Sequence, residues 1–396
     1  MTSSSPILIV GGGIGGLAAA CLFGQNAIPV IVFEQRSFET LETGAGLQLS
    51  PNATRILYGL GIGPEVRARA HEPTRLHIQS LEPSWGQSRI TSMDFSACET
   101  TYGFPYWTIR RWDLHQILYQ HVRSLPSVTL CPEHTCEAFT IQGNMAEIIA
   151  QTPSGKSTFT GHMIIGADGV HSRVRQWIYG TTGIRPSGMC AFRYVLSAPN
   201  LPEPWTTDSG LWLSPQGHIV HYPLGMKKDI NVVAVQKNPI SLHSSHNLER
   251  WIRKVPEGLS WLSEFLKPDT LWQPYTLYTP TQKAPYWGDP HRRAFLLGDS
   301  AHPIFPFLAQ GAALALEDAH ALFQSFHRSS GNPSRFFAHY TKVRGPRTHF
   351  IRGRTLFTGH MYHMPSILTP FRNLGLSLLG SKGLQGLQRP IYGFKN

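Results

Sequence analysis

Cysteine is scarce in this chain. Its 396 residues hold five, Cys21, Cys98, Cys131, Cys136 and Cys190, and none is spaced as C-x-x-C. That excludes a disulfide framework, a zinc ribbon and a dithiol redox centre, and it suits a reducing compartment. Long apolar runs are also missing. No stretch approaches the roughly 20 residues needed to span a bilayer, and the segment from Ile367 to Leu379 is interrupted by Arg372 and Asn373. MTSSSP leads straight into apolar residues, with no basic n-region and no separate apolar h-region. The expectation is a soluble, intracellular, cytoplasmic protein. Acids are absent altogether after Asp318, although eleven Lys and Arg follow it. The remaining bases match the acids in number, so the C-terminal part carries the whole net charge of +11. Such an excess either attracts an anionic nucleotide, a carboxylate or a membrane surface, or forms a solvated face. No basic run interleaved with aromatics points to nucleic acid. No Cys/His or carboxylate cluster points to a metal, since His218 and His221 in H-x-x-H would face opposite sides of a strand.

What is present begins at Ile7. ILIVGGGIGG reads as a β-branched strand and a glycine turn, followed by an Ala-rich helix and a second apolar strand, VIVFE. This is a βαβ unit carrying G-x-G-x-x-G at Gly11, Gly13 and Gly16, with Glu34 about 20 residues further on. Gly11 allows the tight turn, Gly13 lets backbone approach a pyrophosphate, and Gly16 lets helix pack on strand. The helix N-terminus offers free N–H groups to phosphate, and Glu34 can accept bonds from a ribose diol. The fingerprint predicts a bound dinucleotide without separating FAD from NAD. No second copy of it follows.

Further along, a helix is predicted to start near Pro51. Arg75–Leu81 reads as a strand, and Trp107–Val122 as an amphipathic helix on Leu114, Ile117, Leu118 and Val122. Residues 128–165 read as a meander. From about Ile184 to Pro285 the chain turns rich in Pro and Trp, with strands at Gly210–Leu213, His218–Tyr222 and Asn231–Gln236 and a helical stretch at Leu248–Leu266. AFLLGDSAHPIFPFLAQGAALALEDAHALF then reads as strand, loop and long helix, followed by a basic helical stretch and an irregular tail, RPIYGFKN.

Three motifs stand in order: G-x-G-x-x-G, then Gly166-Ala167-Asp168-Gly169, then Gly298-Asp299-Ser300-Ala301-His302-Pro303, which continues to Gln310-Gly311-Ala312 and Glu317-Asp318. Together they resemble the flavin-dependent aromatic hydroxylases, single-component monooxygenases with a p-hydroxybenzoate hydroxylase-like fold. Within that family the chain looks most like the salicylate hydroxylase and 6-hydroxynicotinate 3-monooxygenase branch, including fungal biosynthetic members.

The resemblance implies an α/β protein, a Rossmann-like FAD-binding domain with an inserted, mainly antiparallel β-sheet substrate domain. Residues 1–75, 104–180 and 288–360 would form the first, residues 76–103 and 181–287 the second, and residues 361–396 a basic tail on the FAD domain. FAD would be the resident cofactor and NADH or NADPH a transient donor. O₂ and a small aromatic or phenolic substrate would complete the reaction, which runs through a flavin hydroperoxide in a monomer or homodimer. Gly11, Gly13, Gly16 and Glu34 would hold the ADP end. Ala45 and Gly46 match a loop that passes close to the flavin, and Arg111 the arginine before Asp-Leu, although Arg110 stands where the family has His. Asp168 matches an acid near the FAD with a further role toward NAD(P)H. Asp299 would meet the ribityl chain, and Gly311 and Ala312 would open a helix toward the flavin pyrimidine. His302 reads as a structural hydrogen bonder. Arg193, in Cys190-Ala191-Phe192-Arg193, and Tyr222, in the Tyr-Pro strand, would be the catalytic pair. Epoxidation, decarboxylative hydroxylation and a non-catalytic flavin-binding remnant are the alternatives. A flavin halogenase is not, because PYWTIR lacks its Trp-x-Trp-x-Ile-Pro pattern.

Overall fold

A computed structural model describes residues 5–40, 46–84, 87–197, 203–225, 229–237, 272–282 and 285–395. The helical stretch expected at Leu248–Leu266 and the expected flavin-loop residue Ala45 lie outside them. In chain order the strands are β1 (Ile7–Val10), β2 (Val30–Phe33), β3 (Gly46–Leu49), β4 (Arg75–Ser84), β5 (Gln87–Asp94), β6 (Trp107–Arg110), β7 (Val128–Cys131), β8 (Thr135–Gln142), β9 (Met145–Thr152), β10 (Gly155–Gly161), β11 (Met163–Gly166), β12 (Ile184–Ser197), β13 (Ser209–Ser214), β14 (Gly217–Leu224), β15 (Asp229–Lys237), β16 (Gln273–Pro280), β17 (Gly288–Asp289) and β18 (Ala294–Leu296). The α-helices are α1 (Ile14–Gln25), α2 (Pro51–Gly59), α3 (Gly63–Arg69), α4 (Cys98–Tyr102), α5 (Arg111–Arg123), α6 (Arg173–Tyr179), α7 (Gly311–Ser329), α8 (Pro333–Tyr362) and α9 (Thr369–Tyr392).

Two sheets organise the fold. The first has the order β17-β18-β11-β1-β2-β7 and is parallel apart from β17. Its strands are short and β-branched, the pattern of a sheet buried on both faces. Helix α1 is buried on all sides because its Ala and Gly residues let β1 and α7 close on it; a Cβ at Gly15 would lie 2.6 Å from Leu297. The second sheet, order β16-β12-β15-β14-β13-β4-β5, is antiparallel except where β13 runs parallel to β4. Of the meander expected over 128–165, residues 135–161 form the three-stranded sheet β10-β9-β8, while β7 and β11 at its two ends are strands of the parallel sheet.

Two expectations need correcting. Trp107–Arg110 is a strand paired antiparallel with β3, and the helix begins only at Arg111. Its apolar spacing starts at Leu114, so nothing in the first four residues favoured helix over pairing of the β-branched Thr108 and Ile109. The tail is also not irregular. Helix α9 runs to Tyr392, with a kink at Gly380, because Leu384, Ile391 and Tyr392 bury against Ile90, Phe95 and Tyr106. Its inner side packs on β5, where Ser381 Oγ accepts the Asp94 N–H at 3.0 Å and Gln385 donates to the Asp94 carbonyl at 3.0 Å.

Buried polar ties join these layers. Asp318, with no exposed surface, accepts bonds from the Gly298 N–H at 2.8 Å, His302 Nε2 at 2.5 Å and Arg344 Nε at 2.6 Å. Burial alone would raise its pKa, but His302 and Arg344 hold it at about 2. Glu317 takes Arg344 and Arg347, and Arg347 also donates to the carbonyls of Pro390 and Ile391 at the end of α9. Elsewhere His218 on β14 meets His363 at the end of α8, Nδ1 to Nε2 at 2.8 Å. Burial keeps both rings neutral: His218 is pushed well below the usual histidine range, and His363 to about 4, helped by Lys237 and Arg372.

Asp318→Ala leaves Arg344 partly uncompensated in the core and is expected to cost about 3–5 kcal/mol in urea unfolding. A loss below about 1 kcal/mol contradicts the buried-pair account. The histidine pair has a pH signature. The unfolded chain binds protons that the folded pair refuses, so its stabilisation is complete above pH 6.5 and is lost as pH falls toward 4. His363→Gln should flatten the melting temperature across that window; an unchanged slope means the pair does not titrate as described.

Candidate active site

The two sheets face one another across a cleft that forms two joined cavities. The larger, about 930 Å³, is lined by Gly11, Gly12, Gly13, Glu34, Arg36, Arg111, His115, Asp168 and Arg173. The smaller, about 330 Å³, is lined by Gly46, Asp299, Gly311, Ala312 and one face of the second sheet. Gly13, Arg111, Ala167, Gly169, Val170, Arg193, Tyr275 and Asp299 border both.

At the larger end each glycine has its own reason. Gly11 has φ +107°, and an added Cβ would lie 2.5 Å from the Ala167 carbonyl oxygen. At Gly16 a Cβ would lie 2.0 Å from the Gly11 oxygen, so helix and strand could not close. At Gly13 a Cβ would meet nothing within 4 Å, because that position opens on the cleft at the start of α1. Glu34, just past β2, accepts the Gly12 N–H at 2.9 Å and the Arg36 N–H at 3.0 Å, which fixes its carboxylate at the cavity edge. The Asp168 carboxylate takes the Ser172 hydroxyl at 2.5 Å and the N–H groups of Arg173 and Val174, the donors at the start of α6. It is at once a cavity wall and a helix-start acceptor, and burial raises its pKa.

The junction of the cavities is cationic. Arg110 is engaged by Asp229, while Arg111 borders both cavities. The two neighbours therefore divide: one ties β6 to β15, and the other faces the cleft. Asp299 lies on a single 3-10 turn at the cleft floor, its side chain exposed to the cavity. Desolvation by the cleft walls raises its pKa, against the pull of His302, Arg111, Arg193 and Arg175. Beside it α7 starts at Gly311, directing its free N–H groups into the cleft. Gln310 anchors that start, donating to Ser50 Oγ at 2.9 Å and accepting from Asn52 at 3.0 Å, while Asn52 also donates to Glu317 at 2.7 Å.

The roof is set by strand parity. Ala191 and Arg193 on β12, His218, Val220 and Tyr222 on β14, Val233 and Val235 on β15, and Tyr275 and Leu277 on β16 alternate by two and line the smaller cavity. Cys190, Phe192, Ile219, Val232 and Ala234 fill the other face. His218 and His221 thus point to opposite sides. The Arg193 guanidinium lies over the Tyr275 ring, 4.7 Å from its centre. Tyr222 is buried, burial holds its phenol pKa above the usual value, and its hydroxyl has no hydrogen-bond partner among the described residues. Gly46 passes beneath, donating to Asn231 Oδ1 at 2.9 Å; a Cβ there would lie 2.7 Å from Tyr222.

Gly11, Gly13, Gly16, Glu34, Gly46, Arg111, Asp168, Arg193, Tyr222, Asp299, Gly311 and Ala312 are therefore gathered on one cleft or packed directly behind it. Asn231, Tyr275 and the His218–His363 pair are additions that no local motif announces. Only the alternation of Tyr275 and Leu277 could have flagged one of them. The arrangement fits FAD: open backbone at Gly13 on the start of α1, an acid at the edge of the same cavity, and a helix start and a carboxylate at the floor of the smaller cavity.

Residues 4–250 match the FAD binding domain family. A 3-hydroxybenzoate 6-hydroxylase of Klebsiella oxytoca is 32% identical over 379 residues, covering 93% of this chain and 91% of the relative. A 3-amino-4-hydroxybenzoate 2-monooxygenase of Streptomyces platensis is 30% identical over 91% of this chain and 89% of its own. Klebsiella pneumoniae HpxO, solved with FAD and uric acid, superposes with a TM-score of 0.81 at 19% identity, covering 96% of this chain and 95% of that one, and so shares the fold. A salicylate hydroxylase substrate complex does likewise, at 0.76 and 20%, over 100% and 97%. With the βαβ unit, the cleft and these relatives together, the chain belongs to the FAD-binding family of flavin-dependent aromatic hydroxylases.

Proposed function

We propose that the substrate is a one-ring phenol or aromatic carboxylate held in the roof side of the smaller cavity, between the second sheet and the flavin, with NADH or NADPH as electron donor. The observation that carries this reading is the placement of one arginine and one neutral phenol, Arg193 and Tyr222, on the same face over Gly46 and Asp299. The flavin end and the substrate share this cavity of about 330 Å³, at the lower end of the ligand-pocket range of about 300–1,000 Å³, which favours a small ring.

FAD, when bound, supplies the chemistry that activates O₂. Gly11, Gly13 and Gly16 with the start of α1 would hold its pyrophosphate, Glu34 its ribose, and Arg111, Asp299, Gly311 and Ala312 its flavin end. Asp168 contributes less through its carboxylate, whose bonds go to α6, than by shaping the wall. Arg193 would pair with the substrate anion, its guanidinium oriented by the Tyr275 ring. Tyr222, kept protonated by its depth, would donate to a substrate oxygen and set which ring carbon faces the flavin. Val220, Val233, Val235, Leu277 and Phe305 keep the cavity apolar, which excludes water and strengthens both contacts. The relatives' names, a hydroxybenzoate and an aminohydroxybenzoate enzyme, support an aromatic acid. With a single G-x-G-x-x-G in the chain, the nicotinamide donor would dock transiently.

The test is a panel of hydroxybenzoates and simple phenols scored for stimulated NADH and NADPH oxidation. For the best substrate, Arg193→Ala should raise KM about 10- to 100-fold, the loss of one charge-assisted contact of about 1.5–3 kcal/mol, with FAD content unchanged. Tyr222→Phe should keep KM within a few-fold and divert electrons to hydrogen peroxide. Full coupled turnover by both variants overturns the assignment.

A further inference from the structure

Among the described residues, twelve large apolar side chains are exposed, and ten of them lie between Phe350 and Leu387. The acid-free, basic C-terminal part is therefore also where most of the exposed large apolar side chains lie. On α9, Phe371, Leu374 and Leu378 recur at helical spacing, and Ile367 in the preceding turn extends the line. Ile367, Phe371 and Leu378 are 81%, 71% and 79% exposed. The chain is held on either side of the Gly380 kink, by Thr369 and Arg372 before it and by Leu384 and the Arg347 bonds after it. Thr369, Arg372 and Leu384 are buried, Arg372 donates to the Tyr362 carbonyl at 3.0 Å, and Arg347 takes the Pro390 and Ile391 carbonyls. The apolar line is thus an outward face, and Leu356 and Phe357 of α8 are exposed as well.

We infer that this face rests on an anionic lipid surface, with the apolar side chains in the headgroup boundary and the flanking cations on lipid phosphate. An ordered helix with Phe and Leu outward and only Lys and Arg as charges has the composition of an interfacial helix. Lys382, Arg389 and Lys395, with Arg55 of α2, line a cavity of about 660 Å³ that contains no carboxylate. That charge complements anionic headgroups. It also argues against a second copy as occupant, because a two-fold contact through α9 would bring each subunit's excess of cations against its twin's. No helix among the described residues is long and apolar enough to cross a membrane, so the contact lies on the surface. The segment between α8 and α9 begins at His363, which is bonded to His218 of the smaller cavity.

The experiment floats the full, FAD-loaded chain with vesicles of phosphatidylserine and phosphatidylcholine in equal parts, against phosphatidylcholine alone. The protein should rise with the mixed vesicles and be released as salt is increased. Phe371→Ser with Leu378→Ser should weaken binding at least tenfold, and Lys382→Glu with Arg389→Glu should do so by a separate route. Both pairs should keep FAD content and turnover in solution unchanged. The proposal is overturned if the native chain stays with the buffer in the presence of mixed vesicles, or if both pairs bind as it does. A native dimer that Phe371→Ser with Leu378→Ser makes monomeric overturns it too, because a second copy then covers the face.

Discussion

The structure depends on one buried carboxylate. Asp318 gathers the Gly298 N–H, His302 and Arg344 around itself, and so fixes the turn that carries Asp299 against the helix that begins at Gly311. Those two features form the floor of the smaller cavity. A carboxylate without solvent is tolerable only when its lone pairs are filled by donors and cations, and here His302 and Arg344 meet that requirement. Glu317 extends the same arrangement through Arg347 to the end of α9 and through Asn52 to Gln310 at the start of α7. A site that must present dipoles and charge at fixed positions needs such a rigid base.

Above this floor the roof follows from the period of two in a strand. Arg193, Tyr222 and Tyr275 reach the cavity because they share parity across three strands of one sheet, and the β12–β15 and β14–β15 registers bring Arg193 and Val220 opposite Val233. A slip of one residue would send Phe192 and His221 toward the flavin instead. In the proposed function, specificity rests on the register of the second sheet and cofactor binding on the turns of the first.

That division explains how much could be read from the chain. G-x-G-x-x-G, the acid at 34 and the Gly298–Pro303 turn are local, since their spacing encodes strand, turn and helix within a few tens of residues. The pairing of Gly46 with Asn231 spans 185 positions, and that of His218 with His363 spans 145. Neither leaves a periodic trace. Trp107–Arg110 reads as helix when only the apolar spacing downstream is counted, because its partner β3 lies some sixty residues earlier. The basic C-terminal part was visible as charge, but the sequence did not show that α9 would turn its buried side toward β5 and leave Phe371 and Leu378 outward. Arg193 and Tyr222 came from family likeness, and the fold supplies their shared face.

The account turns on oxygen transfer to a small ring in the cleft between these two sheets. Its most direct test is turnover of the FAD-loaded chain under ¹⁸O₂ with the best aromatic acid or phenol and NADH or NADPH. The account predicts one labelled oxygen in the product for each nicotinamide oxidised. If every such compound leaves all the electrons in hydrogen peroxide and the ring unlabelled, the cleft is not the hydroxylation site described here.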